Sequence, residues 1–372
     1  MGWRVDSDLQ QMLRESAEGY LADKGGPAHF RAVRESQSGF DSAAWKAMAE
    51  LGWTGILLPE SAGGSELGLE PALTLAEELG RAIAPEPFVS SAIIAATLLA
   101  EADGETATAM ASAIVSGEAT ATLAWQEHTG QVSADSCETR LEGSKLTGRK
   151  VHVPAWHDAT ALLVSAISDA GPAVAIVDPG ADGVTVEARR MTDGTHCANI
   201  TFEGVPIDSD AVILSGSGAE QALALALARG TVALSAQLEG LASVLWQHTA
   251  DYIKQRVQFE QPLSDFQVLR HRMVDLYTEI ELSGASWRAA AATVEQGNLD
   301  SVALHAAKAR CSQTALDMGR WAIQYHGAFG YTDEADVGLY VHTALRWASW
   351  LGNPEARRRR ALASHRKEKA HG

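Results

Sequence analysis

Cysteine is scarce. Cys137, Cys197 and Cys311 are the three in 372 residues, and they stand far apart with no metal-ligand spacing. That excludes a disulfide framework and a cysteine-built zinc site, and a reduced, cytoplasmic chain with free thiols is expected. Long apolar runs are missing as well. The best candidate, 219–228, is broken by Glu220 and Gln221 and ends at Arg229. A membrane span needs roughly 18–20 apolar residues, so none is expected. The opening residues, Met1-Gly-Trp-Arg-Val-Asp6, have no basic segment leading into an apolar one and do not read as a signal peptide. Positive charge is in deficit: 30 Lys and Arg face 47 Asp and Glu, a net charge of −17. That balance argues against a nucleic-acid partner. The basic cluster at 357–360, with Arg366, Lys367 and Lys369 after it, reads as a charged, frayed C-terminal helix.

What is present suits a large globular chain: 46% hydrophobic and 21% charged residues, over a length that can bury two or three cores. Residues 1–118 read as a helical domain. Asp41 is the expected N-cap of a helix whose apolar positions Ala44, Trp45, Met48 and Leu51 recur at helical spacing, and Gly52 ends it. Further helices are expected from about Pro71 to Gly80 and from Ser90 to Glu101. Between 119 and 214 the pattern changes to short apolar runs divided by turn residues. They fall at 121–125, 150–153, 161–166, 173–177, 184–186 and 198–202 and predict a small antiparallel β-domain. From 215 to 372 the chain reads as helical again. Helices over about 219–256, 266–296, 299–326 and 336–351 predict a four-helix bundle. The fold class is α+β.

The stretch Arg256-Val-Gln-Phe-Glu-Gln-Pro-Leu-Ser-Asp-Phe-Gln267 joins two of those helices. An arginine at a helix end, then a bend and amide side chains, suits a diphosphate. A solvated helix end is the plainer reading of the stretch alone. Pro262 marks the break, and Ser264 or Asp265 is the expected N-cap of the next helix. The segment resembles the Arg-x-x-Phe-Gly-x-x-[Ile/Leu]-x-x-[Phe/His]-Gln signature of acyl-CoA dehydrogenases, with Glu260 where that family has glycine. A second segment, Gln324-Tyr-His-Gly-Ala-Phe-Gly-Tyr-Thr-Asp-Glu334, resembles the family's Gln-x-x-Gly-Gly-x-Gly signature, with Ala328 in place of one glycine. The N-terminal order of Glu-Leu-Gly-Trp, Leu-Pro-Glu-x-x-Gly-Gly, Glu-Glu-Leu-Gly-Arg and Ala-Pro-x-Pro is similar to the diverged actinobacterial type. The resemblance covers nearly the whole chain.

The resemblance implies a flavoprotein oxidoreductase of lipid metabolism: FAD-dependent α,β-dehydrogenation of an acyl-CoA, with electrons passed to an electron-transfer acceptor. It implies Arg256, Gln258, Gln267, Gln324, Gly327 and Gly330 as cofactor-binding residues, lent across a subunit interface. The family keeps a carboxylate base at one of two places, which correspond here to Gly230 and Leu351, and neither is acidic. Glu239 and Glu220 lie too far along the helix to replace the first. In the β-domain the family's Gly-x-Lys-x-Trp-Ile-Thr motif becomes Gly148-Arg-Lys-Val-His-Val-Pro154. His152 is expected as a partly buried structural histidine, with a new base as the rival reading. No catalytic residue is therefore assigned to this chain. The pieces lent to a neighbour are kept and the chain's own are degraded. That pattern resembles the non-catalytic subunit of α2β2 heterotetramers, including those of steroid degradation. A homotetramer with its own unrecognised base, a flavin-dependent monooxygenase on the same fold, and a purely structural paralogue without flavin are the alternatives.

Overall fold

The computed structural model describes residues 6–36, 39–332 and 334–371. The helices of the first part are α1 (Asp8–Lys24), α2 (Gly26–Glu35), α3 (Ser42–Glu50) and α4 (Leu69–Arg81). A π-helical stretch, Phe88–Ala95, runs directly into α5 (Ala96–Ala100), and α6 is Glu105–Val115. Asp41 caps α3 as expected, its carboxylate accepting from the backbone N–H of Ala43. Gly52 follows in the left-handed region at φ 78°. The strands are β1 (Ala121–Ala124), β2 (Arg140–Glu142), β3 (Lys145–Pro154), β4 (Ala161–Ser168), β5 (Gly171–Val177), β6 (Val184–Arg190), β7 (His196–Pro206) and β8 (Val212–Ser215). The helices α7 (Gly216–Gln255), α8 (Gln267–Glu295), α9 (Val302–His326), α10 (Val337–Ser349) and α11 (Pro354–His371) complete the chain. The short strands β9 (Val257–Gln258) and β10 (Gln261–Pro262) lie between α7 and α8.

The chain divides into two compact units. One, the sheet unit, comprises Ala32–Ala72 and Pro85–Gly230; the other, the bundle unit, comprises Met1–Arg31, Leu73–Ala84 and Thr231–Gly372. In the sheet unit the strands run in the order β6-β7-β3-β2-β4-β5-β8, with β1 also on β4. The sheet is mixed rather than antiparallel: β1 and β2 both pair in parallel with β4, at Ala121↔Ala161 and Arg140↔Ile167. All four residues of β1 are buried. Such a strand is covered on both faces, as parallel strands are, and it lacks the polar–apolar alternation of a half-wet antiparallel one. The core of this unit is built by Leu162, Val164, Ile200, Phe202 and their neighbours.

In the bundle unit α9 packs against α8, α10 and α11. The expected four helices are present, and α11 adds a fifth. Gly80 of α4 and Gly240 of α7 face backbone so closely that a Cβ would collide, with Gln237 O in one case and Glu77 O in the other. Two helices can cross this tightly only where the side chain is absent.

The reading of α11 as a frayed, charged helix is corrected. Arg357 is 2% exposed. Its guanidinium donates to Leu351 O at 2.7 Å and Thr231 Oγ1 at 3.0 Å, and it meets His305 Nδ1 at 2.9 Å. Arg360 pairs with Asp300 at 2.7 Å. Helical periodicity turns one residue of the run inward while Arg358 and Arg359 stay exposed.

Candidate functional site

Three chain segments meet at one end of the bundle. The C-terminus of α7 touches that of α9 through Tyr252 and His326, whose rings stack with centroids 4.1 Å apart. The C-terminus of α9 is tied to the start of α8 by Tyr325, whose hydroxyl donates to Leu269 O at 2.9 Å. Arg256, Gln258 and Gln267 on one side, and Gln324, Gly327 and Gly330 on the other, belong to these joined segments. Arg256, Gln258, Gln267 and Gln324 are exposed. The Gln258 amide is occupied by its own neighbour, donating to Val257 O at 2.8 Å.

The link between α7 and α8 is a two-residue hairpin. β9 and β10 pair at Gln258↔Gln261 and Val257↔Pro262. The turn residues Phe259 and Glu260 both have positive φ, 51° and 66°. A tight hairpin of this kind requires left-handed backbone at both positions, which favours glycine. The departure at Glu260 therefore has a backbone cost besides its charge. The N-cap expectation does not hold. Ser264 and Asp265 lie in a 3₁₀ turn, and α8 starts after Phe266 with no side-chain cap. Its first N–H groups point out uncapped at the positive end of the helix dipole.

The two glycines of the second segment have different physical grounds. Gly327 sits at φ 61°, ψ −143°, a region open essentially to glycine. A Cβ on it would meet nothing within 4 Å. Gly330 is buried, and a Cβ there would stand 3.0 Å from His326 Cβ. Backbone shape and packing thus account for both.

A nucleotide fits this end in its charge chemistry. Arg256 makes no ion pair among the described residues, and the open α8 terminus and the exposed amides of Gln267 and Gln324 point to the same class of ligand, a diphosphate. Among the described residues no group of His, Cys, Asp and Glu is placed to hold a metal ion.

Comparison with known proteins settles the family. The acyl-CoA dehydrogenase N-terminal domain matches residues 7–118, and the acyl-CoA dehydrogenase C-terminal domain matches 216–364. The chain belongs to the acyl-CoA dehydrogenase family. Among solved structures it is similar to the Tcur3481-Tcur3483 steroid ACAD, at 30% identity and a TM-score of 0.88, over 97% of this chain and 98% of that one. It shares its fold with the ChsE4-ChsE5 complex from Mycobacterium tuberculosis, at 24% identity and a TM-score of 0.87, over 96% of each chain. It is 27% identical to acyl-CoA dehydrogenase FadE27 of Mycobacterium tuberculosis, over 90% of this chain and 91% of that protein. The family's fold is the one described above: N-terminal helices, a central mixed sheet and a C-terminal helical bundle.

Neither position that the resemblance marks for a base carries an acid in this acyl-CoA dehydrogenase chain. Gly230 lies buried inside α7. Leu351 is fully buried with φ 54°. The loop that carries it is fastened by two buried cations that the sequence did not flag. Lys308 Nζ donates to Ser312 Oγ at 2.8 Å and to the carbonyls of Trp347, Ala348 and Gly352 at 3.2–3.4 Å. Arg357 holds Leu351 O from the other side. Burial pushes the Lys308 ammonium well below its ordinary pKa, and the Arg357 guanidinium, also desolvated, down to about 10. Glu239 is 6% exposed. It belongs to the bundle interior, its carboxyl carbon 3.8 Å from where a Gly284 Cβ would stand.

In the sheet unit, His152 is exposed rather than partly buried. It sits at φ 55° where the β3–β7 register shifts, and its Nε2 meets Thr129 Oγ1 at 3.2 Å. The bulge turns the imidazole outward. The motif's Lys150 is fully buried and pairs with Glu127 at 2.8 Å, with Ser165 Oγ at 3.1 Å. Burial alone would raise the Glu127 carboxyl. Bonds from Lys150, from Thr139 and from the N–H groups of Glu138 and Thr139 outweigh it and bring the pKa down to about 2. Sequence reasoning missed this pair because its members are 23 residues apart.

Proposed function

We propose that this chain is the subunit of an acyl-CoA dehydrogenase that helps to hold FAD without supplying the base, and that the enzyme dehydrogenates a bulky, steroid-derived acyl-CoA between Cα and Cβ. The observation that carries the reading is an asymmetry. The polar end formed by Arg256, Gln258, Gln267 and Gln324 is intact and exposed, while both base positions are apolar and buried. When bound, FAD accepts the hydride lost from the substrate β-carbon. This chain's part is to bind: Arg256 offers a guanidinium to a diphosphate oxygen, the uncapped α8 terminus adds backbone N–H donors, and Gln267 and Gln324 fix register. Gly327 leaves space for close approach of a nucleotide. A second, homologous chain supplies the carboxylate that takes the α-proton, and an electron-transfer partner reoxidises the flavin. The steroid assignment draws on the similarity to the Tcur3481-Tcur3483 steroid ACAD.

One observation favours a rival, a self-sufficient homo-oligomer. His152 is an exposed imidazole on a bulge, a conformation the chain maintains against strain. One experiment decides between the readings. Visible flavin absorbance per subunit is measured on the chain alone and on the chain co-purified with a second acyl-CoA dehydrogenase-family chain from the same source. A colourless chain alone, with about one FAD per unlike pair, is the expected result. One FAD per subunit in the chain alone, bleached by acyl-CoA and unbleachable in His152→Ala, overturns it.

A further inference from the structure

FAD and acyl-CoA are both derivatives of adenosine diphosphate. An arginine, exposed amides and an uncapped helix terminus suit the diphosphate of either one. The two differ at the adenosine ribose, where CoA carries a further phosphate on the 3′-hydroxyl and FAD carries none. An end with this charge chemistry separates them only if some group disfavours the extra dianion. Glu260 has the charge and the place to do so. It stands in the two-residue turn of the β9–β10 hairpin, exposed, with φ 66°.

Strand periodicity puts Arg256 and Gln258 on one face of the hairpin. Its open end is closed by the Leu263 N–H, which donates to Arg256 O at 2.9 Å. Glu260 lies two residues beyond Gln258, which places its backbone within about 7 Å of that residue. Among the described residues its carboxylate has no ion pair and no hydrogen bond, and Arg256 likewise has no ion pair. The negative charge is therefore not cancelled within the chain, and it does not quench the guanidinium. A glycine at this turn would adopt the left-handed backbone freely, whereas glutamate does so at a cost. What glutamate adds is a repulsive charge beside a phosphate-binding segment, and repulsion is one way to reject the wrong ligand. Two unit charges about 7 Å apart in water-like surroundings change a binding constant about threefold. A phosphate monoester carries close to two charges, so roughly five- to tenfold is expected at low salt.

We propose that Glu260 is a specificity-determining residue of the flavin end, which selects adenosine diphosphate ligands without a 3′-phosphate and so keeps acyl-CoA out of the place of FAD. The inference rests on the flavin reading and deepens it. The test is displacement of FAD from the chain co-purified with its homologous partner, read by flavin fluorescence, with ADP and 3′-phospho-ADP as competitors. The wild type is expected to release FAD to ADP at a concentration roughly five- to tenfold lower than to 3′-phospho-ADP, a gap that narrows in high salt. Glu260→Gln removes the charge and keeps a side chain on the left-handed backbone, and Glu260→Gly removes both. Each should bring the two concentrations to within about twofold, and circular dichroism verifies that the variants fold. Glu203→Gln, exposed in the sheet unit, changes the net charge equally and should leave the gap as in the wild type. Equal release to both nucleotides by the wild type, a gap that persists in both Glu260 variants, or one that Glu203→Gln closes as well overturns the inference and leaves the flavin reading standing. A wild-type pair that holds no flavin overturns the flavin reading, and this inference with it.

Discussion

The two units differ in how much apolar surface they leave in water. In the sheet unit the large exposed apolar side chains among the described residues are Leu51 and Leu67, at 44% and 39%. Its buried cation, Lys150, meets a carboxylate, Glu127. In the bundle unit Phe259 is 86% exposed, Tyr331 78% and Val268 74%, and the buried cation Lys308 meets only neutral oxygens. One unit has a surface finished for water and an interior finished by ion pairing. The other leaves apolar groups in water, and its cations both hold loop carbonyls and pair with buried carboxylates, as Arg14 does with Glu77 and Glu78. The contrast teaches that apolar surface left in water is concentrated in the bundle unit among the described residues, with Phe259, Tyr331 and Val268 at its head.

The largest expected effect tests the sheet side of this contrast. Lys150→Met strands a buried carboxylate and should lower unfolding stability by about 3–5 kcal/mol. Adding Glu127→Gln to the Lys150→Met variant should recover much of the loss in denaturant titrations. No recovery would mean that the pair does not act as a unit. On the bundle side, Lys308→Met keeps the volume and removes no partner charge. It should cost about 1–3 kcal/mol for carbonyls left unsatisfied. A loss as large as that of Lys150→Met would erase the distinction between the two cations.

The next effect is in pH. Burial lowers the pKa of His248, His305 and His326 below the ordinary 6.5. The unfolded chain therefore takes up those protons first, so the stability they contribute is present above pH 6.5 and is lost as pH falls below it. Glu78 has the opposite sign. Burial raises its carboxyl from 4.5 to about 6, against Arg14 and Arg81, so its contribution is full below 4.5 and is lost as pH rises through 6. Melting temperature should therefore fall on acidification from pH 7 to 6, and Glu78→Gln should steepen the fall between 6 and 5. A flat profile in both proteins would remove the histidines from the account.

The smallest effect is local. Glu260→Gly relieves one left-handed residue of the hairpin and should stabilise the chain by roughly 0.5–1 kcal/mol, since the relief exceeds glycine's entropy cost. In the mixed assembly proposed above it should also tighten FAD binding, measured by flavin fluorescence. Unchanged stability would show that the hairpin carries no strain.

Features with a local cause were legible in the sequence. The bundle helices lie close to their expected limits because apolar spacing, glycine and proline punctuate them, and all six apolar runs of 119–214 fall on strands. The parallel pairing of β1 with β4 was not legible, because four buried residues carry no alternation to read. Arg357 and Lys308 were hidden for a related reason. A charge run or a lone lysine reads as solvated until the oxygens it caps are brought in from 40 residues away. At the candidate site the residue types and their order were visible. The sequence did not show that Gly327 and Gly330 answer to backbone and packing, or that the glycine missing at 260 belongs to a hairpin turn.

The loop around Leu351 leaves no open place for an acid at that position. The side chain is enclosed, the backbone is left-handed, and the surrounding carbonyls are already held by Lys308 and Arg357. A single codon change to glutamate there would bury a carboxylate in a sealed loop rather than present it to a substrate. A Leu351→Glu variant is therefore expected to lose stability, read in a denaturant titration, without gaining dehydrogenase activity.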